Sequence, residues 1–251
     1  MLPPSSRDYL PTAPTWERNP EDQDIWRRVV TMPALALNRA ELDYLGPVAG
    51  KRVCVLGVGD GMAPLALAAL GAKVVVVDPT RSALDMLMVR TQLVGVELEF
   101  REAELTDLSS LGEGSCELAY AAQVAGTISD LGKFYAEVFH LLQPGGRLVV
   151  NEYHPFRRIW KQEPGRPRVA FSYFERRRPR SEEYDPDPVF PGQAFGRYSY
   201  HWTVADHFNL LAAAGFRVVG MEEVGDSRQN WELPNLSGLP EQLVIAADRP
   251  R

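Results

Sequence analysis

Cysteine is scarce in this chain. Among 251 residues there are only Cys54 and Cys116, too few for a disulfide framework, and both fall in apolar runs that read as buried strands. They could pair only if those two strands were neighbours with suitable geometry; two reduced core thiols of a cytoplasmic protein are the expectation. No run approaches the ~18 consecutive apolar residues of a membrane helix. The N-terminus has no basic stretch leading into an apolar core, so no signal peptide is expected. Excess positive charge is also missing. With 27 Lys and Arg against 33 Asp and Glu, the net charge is -6, which argues against nucleic acid as a general partner. No metal-ligand set is read from the sequence.

What is present is concentrated near the first third. Residues 53–61 read Val-Cys-Val-Leu-Gly-Val-Gly-Asp-Gly, and residues 74–78 read Val-Val-Val-Val-Asp. An apolar run ends in glycines at alternate positions, a helix-like stretch follows from Met62 to Leu70, and a second apolar run ends in a carboxylate. That is a β-α-β unit. Glycines let the turn tighten and let a ligand approach bare backbone, and the helix N-terminus offers free N–H groups beside it. Asp78 stands where a carboxylate accepts from two ribose hydroxyls. The unit therefore predicts an adenosine-containing cofactor, held by Gly57, Val58, Gly59, Asp60, Gly61, Asp78 and Pro79. The dinucleotide fingerprint needs a small residue three places after its second glycine. Met62 stands there, and the third glycine comes early, as Gly61.

Along the chain, residues 1–23 contain Pro3, Pro4, Pro11, Pro14 and Pro20 and read as an irregular arm. Residues 24–251 read as a single domain. Helical spacing over 24–45 predicts a covering helix, kinked or split at Pro33. Strands are predicted near 52–57, 73–78, 96–101, 116–122 and 146–152, with helices over 61–70, 80–93 and 130–142. Near-continuous Val and Leu runs predict a parallel sheet covered on both faces. Pro144-Gly145-Gly146 ends the third of these helices. Residues 156–202 are rich in Pro, Arg and aromatics, with alternating stretches at Val169–Phe174 and Ala194–Trp202, and read as a β-hairpin-like insertion on the substrate side. Thr203 reads as the N-cap of a helix to Ala214, stopped by Gly215. Strands at 216–223 and 242–248 close the chain, joined by a turn-rich link long enough for a hairpin.

This order of elements, with the G-x-G-x-G spacing and Asp78, resembles the class I S-adenosylmethionine-dependent methyltransferases. Residues 133–149, Lys-Phe-Tyr-Ala-Glu-Val-Phe-His-Leu-Leu-Gln-Pro-Gly-Gly-Arg-Leu-Val, are similar to the family's xEVxRxLxPGGxLV signature, and Asn151-Glu152-Tyr153-His154-Pro155-Phe156 to an xxEHPF motif of small-molecule members. The resemblance implies an α/β, Rossmann-like seven-stranded sheet of order 3-2-1-4-5-7-6 with strand 7 antiparallel, and S-adenosyl-L-methionine as cofactor. It also implies that Glu104 meets the adenine amino group while Leu105 offers its backbone N–H to the ring. Where the family usually opens its fourth strand with Asp, this chain has Cys116-Glu117.

Methyl transfer from a sulfonium is an in-line displacement, so the nucleophile must be held about 3–3.5 Å from the methyl carbon with water excluded. No fixed triad is required. His154, just past the fifth strand, is the candidate base, and Tyr153 the candidate orienting group. Gln123 and Thr127 follow the fourth strand at the same edge, Gln123 toward the cofactor and Thr127 toward the acceptor. Tyr198, Tyr200 and His201 are candidate pocket residues, as is Trp26 of the covering helix. The expected reaction is methylation of O, N or S on a small molecule. The arginines of the insertion keep an RNA or protein acceptor open, and a non-catalytic cofactor-binding or scaffold role is the alternative from another class. Oligomeric state is not read from the sequence.

Overall fold

Near-continuous apolar runs build a sheet that is buried on both faces. The computed structural model describes residues 25–156, 159–163, 166–175, 179–181, 198–225 and 239–251. In chain order, the first half contains α1 (Ile25–Arg28), α2 (Arg39–Leu45), β1 (Arg52–Leu56), α3 (Met62–Ala69), β2 (Lys73–Asp78), α4 (Arg81–Val94), β3 (Glu99–Glu102) and β4 (Cys116–Ala122). The second half contains α5 (Leu131–Leu141), β5 (Leu142–Tyr153), β6 (Trp160–Glu163), β7 (Arg166–Val169), β8 (Pro179–Ser181), β9 (Tyr198–Tyr200), α6 (Val204–Ala213), β10 (Arg217–Val224) and β11 (Gln242–Asp248).

The main sheet runs β10-β11-β5-β4-β1-β2-β3, parallel from β3 through β5, with β11 antiparallel to both β5 and β10. Counting only its own strands, that is the expected order 3-2-1-4-5-7-6. Period-two geometry splits each strand between two cores. Val53, Val55, Val74, Val76 and Tyr120 pack on the side of α1 to α4, and Cys54, Leu56, Val75, Val77 and Ala121 pack on the side of α5 and α6. Because both faces are covered, the strands carry no polar alternation, which is why they read as continuous apolar runs.

Several expectations are adjusted. The covering helix is three pieces: α1, a 3-10 turn at Pro33–Leu35, and α2. Pro33 opens the turn, and Asn38 restarts the helix with a reciprocal capping box to Glu41, so the proline splits rather than bends it. The third strand begins at Glu99, not 96, because Gly95 closes α4 in the left-handed region and pairing with β2 starts only at Val75–Glu99. Pro144-Gly145-Gly146 lies inside β5, which takes over directly from α5 at Leu142.

The insertion is two short antiparallel pairs, β6–β7 and β8–β9. Of the alternating stretch 169–174 only Val169 is strand; residues 171–174 bend and turn. The arm at 1–23, Ala194–Arg197 and residues 226–238 of the final link lie outside the described residues. Thr203 caps α6 as expected, accepting from Asp206 N–H at 3.1 Å while the Asp206 carboxylate accepts from Thr203 N–H at 3.0 Å. Strands β1 and β4 are neighbours, yet Cys54 and Cys116 are free thiols, both buried. The hydrogen bond between them, and then burial, push the Cys54 thiol well above its usual range.

Candidate active site

The carboxyl ends of β1 and β2 meet at a turn whose geometry depends on glycine. Gly57, Gly59 and Gly61 have φ of +91°, +55° and +77°, a region that L side chains seldom adopt. A Cβ on Gly57 would stand 2.7 Å from Val124 Cγ1, whereas one on Gly59 would meet nothing within 4 Å. The loop is thus packed against β4's exit on one side and open on the other. Asp78 ties it to β2: Oδ2 accepts from Val58 N–H at 2.8 Å and Oδ1 from Thr80 N–H at 2.7 Å. An ionised carboxylate has about four acceptor sites, so this half-buried group keeps capacity for a diol. Asp60 Oδ1 accepts from Met62 N–H at 2.9 Å, where α3 begins. Pro79 and Glu104 are half-buried beyond β2 and β3, and Leu105 is buried beside them.

The exit of β4 carries a strained residue. Gln123 is the one non-glycine with positive φ among the described residues, at +58°, which costs about 1–3 kcal/mol and persists only where the surroundings fix it. Here they do. Gln123 N–H donates to Asn151 O at 2.8 Å, and buried Glu152 accepts from Val124 and Ala125 N–H at 2.9 and 2.8 Å through one oxygen. Thr127 is exposed, and its hydroxyl donates to Val124 O at 2.8 Å. Beneath, Glu41 of α2 accepts from Tyr120 OH at 2.5 Å, Asn151 Nδ2 at 2.8 Å and Asn38 N–H at 2.6 Å. Burial raises its pKa, opposed by those hydrogen bonds.

The acceptor-side residues are placed more deeply than the sequence suggests. His154 is 5% exposed. Its Nδ1 accepts from Phe156 N–H at 3.2 Å, which puts the ring proton on Nε2, facing Glu223 Oε1 at 2.9 Å. Both nitrogens are engaged, so in this state the ring fastens β5's end to β10 rather than offering a free base. Tyr153, one residue earlier, is half-buried. His201 is buried, its Nε2 paired with Tyr173 O at 3.0 Å. Tyr200 is buried and stacks on Trp202, whose indole N–H is shared between Ala125 O at 3.0 Å and Ile128 O at 3.2 Å. The insertion's return is therefore pinned to the turn after β4. Tyr198 is a strand residue of β9. Trp26, expected at the acceptor pocket, instead lies buried behind the glycine loop, with Arg90 of α4 over its ring. Of the insertion's arginines, Arg168 is exposed.

Two residues escaped sequence reasoning. Arg90 interrupts the buried stripe Ala83, Leu84, Leu87 of α4, and Glu41 shares the buried face of α2 with Ala40 and Leu45. A charge on an apolar stripe was the available signal. The open face at Gly59, the partly free Asp78 carboxylate and the neighbouring acids Asp60 and Glu104 fit a ribose-bearing, cationic cofactor. Among the described residues no His, Cys, Asp and Glu grouping is set to hold a metal ion, and no helix is long and apolar enough to cross a membrane.

Comparison with known proteins finds a matching domain and fold. Residues 55–150 match the model of a family described as a methyltransferase domain. The chain is 29% identical over 122 residues to a ubiquinone biosynthesis O-methyltransferase of Xylella fastidiosa, covering 47% of this chain and 50% of that protein. It thus spans about half the length of the curated relatives it matches. A solved S-adenosylmethionine-dependent methyltransferase from Mesorhizobium loti superposes with a TM-score of 0.66 at 24% identity, over 82% of this chain and 94% of that one. The cyclase SpnF superposes with a TM-score of 0.58 at 16% identity, over 89% and 80%. At such identities these likenesses show the shared fold.

Proposed function

We propose that this chain is an S-adenosylmethionine-dependent methyltransferase that methylates an oxygen of a small molecule. The observation that carries the reading is Asp78, bound to Val58 and Thr80 N–H under a glycine loop whose other face is open at Gly59. Asp78 and Pro79 would hold the ribose, Gly57 to Gly61 the amino-acid tail, and Glu104 and Leu105 the adenine. The cofactor supplies a methyl group already activated on a positive sulfur. What remains for the protein is to aim an acceptor in line and keep water out.

Gln123, fixed by Asn151 and Glu152, would shape the floor between cofactor and acceptor. Thr127, Tyr153, Tyr198, Tyr200 and His201 would border the acceptor, with His154 holding the strand exit they depend on. Positioning, rather than a dedicated base, is then the main source of rate. The name of the curated relatives favours oxygen as the methylated atom. One observation favours a second reading, cofactor binding without methyl transfer: the His154 ring and the Thr127 hydroxyl are both spent on nearby backbone or side-chain partners.

The test is calorimetric titration with S-adenosylhomocysteine, with NAD and the Asp78→Ala variant as controls. Micromolar binding to the wild type, abolished in the variant and absent with NAD, is expected. Labelled methyl donor offered with panels of small hydroxylated acceptors and with RNA then separates the readings. Incorporation into RNA alone, or into nothing despite tight binding, would overturn small-molecule methylation.

A further inference from the structure

We propose that Arg90 is a positioning residue for the cofactor loop, and that Trp26 holds it in place. The inference rests on reading that loop as the cofactor's seat. Arg90 Nη1 donates to the backbone carbonyl of Asp60 at 2.6 Å. This carbonyl belongs to the tightest part of the turn, between two glycines of positive φ. A loop so rich in glycine has only buried Val58, the Asp60 carboxylate on Met62 N–H and the turn bond from Gly61 N–H to Val58 O to stiffen it from within, so its shape depends also on what grips the backbone from outside. Asp78 grips the front at Val58, and Arg90 grips the rear at Asp60. A Cβ on Gly61 would lie 3.1 Å from Leu87 and 3.5 Å from Arg90 Nη1, so α4 abuts the loop directly.

Arg90 is 7% exposed. Burying a guanidinium is costly unless its donors are met, and an apolar residue at this stripe position would complete the core more cheaply. The guanidinium is also confined from its other side, with its carbon 5.1 Å from the centre of the Trp26 ring, and that ring is 6% exposed. A desolvated arginine over an indole is held by the ring's negative face as well as by shape. α1, which carries Trp26, has four residues and is too short to be stable by itself. Its docking, the orientation of Arg90 and the curvature of the loop therefore form one unit. Cofactor affinity should depend on that unit, and acceptor affinity at saturating cofactor should not.

The experiment measures S-adenosylhomocysteine affinity by calorimetry for wild type, Arg90→Met, Arg90→Lys, Trp26→Ala and the Arg90→Met/Trp26→Ala double variant. Backbone hydrogen exchange over residues 57–62 is followed in parallel, and melting curves establish that each variant is folded. Loss of one charge-assisted bond predicts about tenfold weaker binding for Arg90→Met, with faster exchange in the loop. Arg90→Lys, which keeps a donor, should recover most of it. Trp26→Ala should weaken binding about threefold, and the double variant should bind no worse than Arg90→Met, the signature of a shared unit. Acceptor KM should stay at the wild-type value in all of them.

A folded Arg90→Met variant that binds as tightly as wild type, with unchanged exchange, overturns the proposal, even if its melting temperature falls. Should that variant not fold, unchanged affinity in Trp26→Ala overturns it instead. Fully additive losses in the double variant overturn the role given to Trp26. Failure of the wild type to bind S-adenosylhomocysteine would be a failure of the cofactor reading itself and is seen before any variant is made.

Discussion

The two halves of the site are assembled by different kinds of contact. On the cofactor side, β1, the glycine loop, α3 and β2 follow one another, and the bond from Val58 to Asp78 closes across 20 residues. On the acceptor side, Trp202 reaches back 77 residues to Ala125, and the Tyr135 hydroxyl meets His207 Nδ1 across 72. The first half is a local motif whose parts are ordered by the chain. The second is a meeting of β4's exit, β5's exit and α6, brought together only by the sheet. Substitutions on one side should therefore leave the other largely intact, and the following changes probe that separation.

The greatest effect is expected where the halves touch. Gly57→Ala would force an alanine to φ +91° and drive its Cβ into Val124. Strain and overpacking together predict about 4 kcal/mol of destabilisation, read as a melting temperature about 10 °C lower. Gly59→Ala, with open space around the new methyl, should cost only about 1 kcal/mol of stability but lose cofactor affinity, because the methyl enters the ligand's side. Equal stability losses in the two variants would contradict the packed-face and open-face description of the loop.

Glu152→Ala removes the acceptor for two buried N–H groups and should cost about 3 kcal/mol. Its signature is a raised acceptor KM and relaxation of the Gln123 turn with nearly normal S-adenosylhomocysteine affinity. Equal losses of cofactor and acceptor affinity would merge the two halves into one.

His207 offers a pH-dependent probe of the acceptor side alone. Burial, acting against Asp206 and with His201, lowers its pKa from 6.5 to about 4, and Tyr135 OH is its partner. The unfolded chain protonates this residue first. Stability attributable to it is whole above the unfolded value and is lost as pH falls from 6.5 toward 4. Wild type should lose about 2 kcal/mol more than His207→Gln between pH 7 and pH 5, measured by urea denaturation. Parallel pH profiles would show that His207 is not held neutral. Smallest of all, Trp202→Phe deletes one shared N–H donor. About 1 kcal/mol of stability should go, with cofactor affinity unchanged by calorimetry.

Legibility followed the same division. The β-α-β unit was readable because its glycines, apolar runs and terminal carboxylate lie in one window, each tied to a local conformational need. Thr203 was readable as a helix start for the same reason, since an N-cap acts within one turn, and the structure completes it with Asp206. His154 was half-readable: its place past a strand's carboxyl end is local, and only the fold shows the approach of Glu223 from β10. Helical spacing gives Trp26 a face without saying what that face meets, and only the fold sets Arg90 over its ring. The split at Pro33 was half-readable, because proline marks a break while the distance to the next cap sets its length.

The sequence by itself determined the β-α-β unit, its glycine turn and the carboxylate at the end of β2, because each depends on short-range sterics and on apolar runs long enough to demand burial, whereas the strand order came from the family resemblance alone. Only the tertiary structure decided which polar groups became structural. Glu41, Arg90, Glu152 and His207 are buried by elements distant in the chain, and the low-dielectric interior obliges each to find partners there, so local spacing shows at most a charge on an apolar stripe and not what it meets.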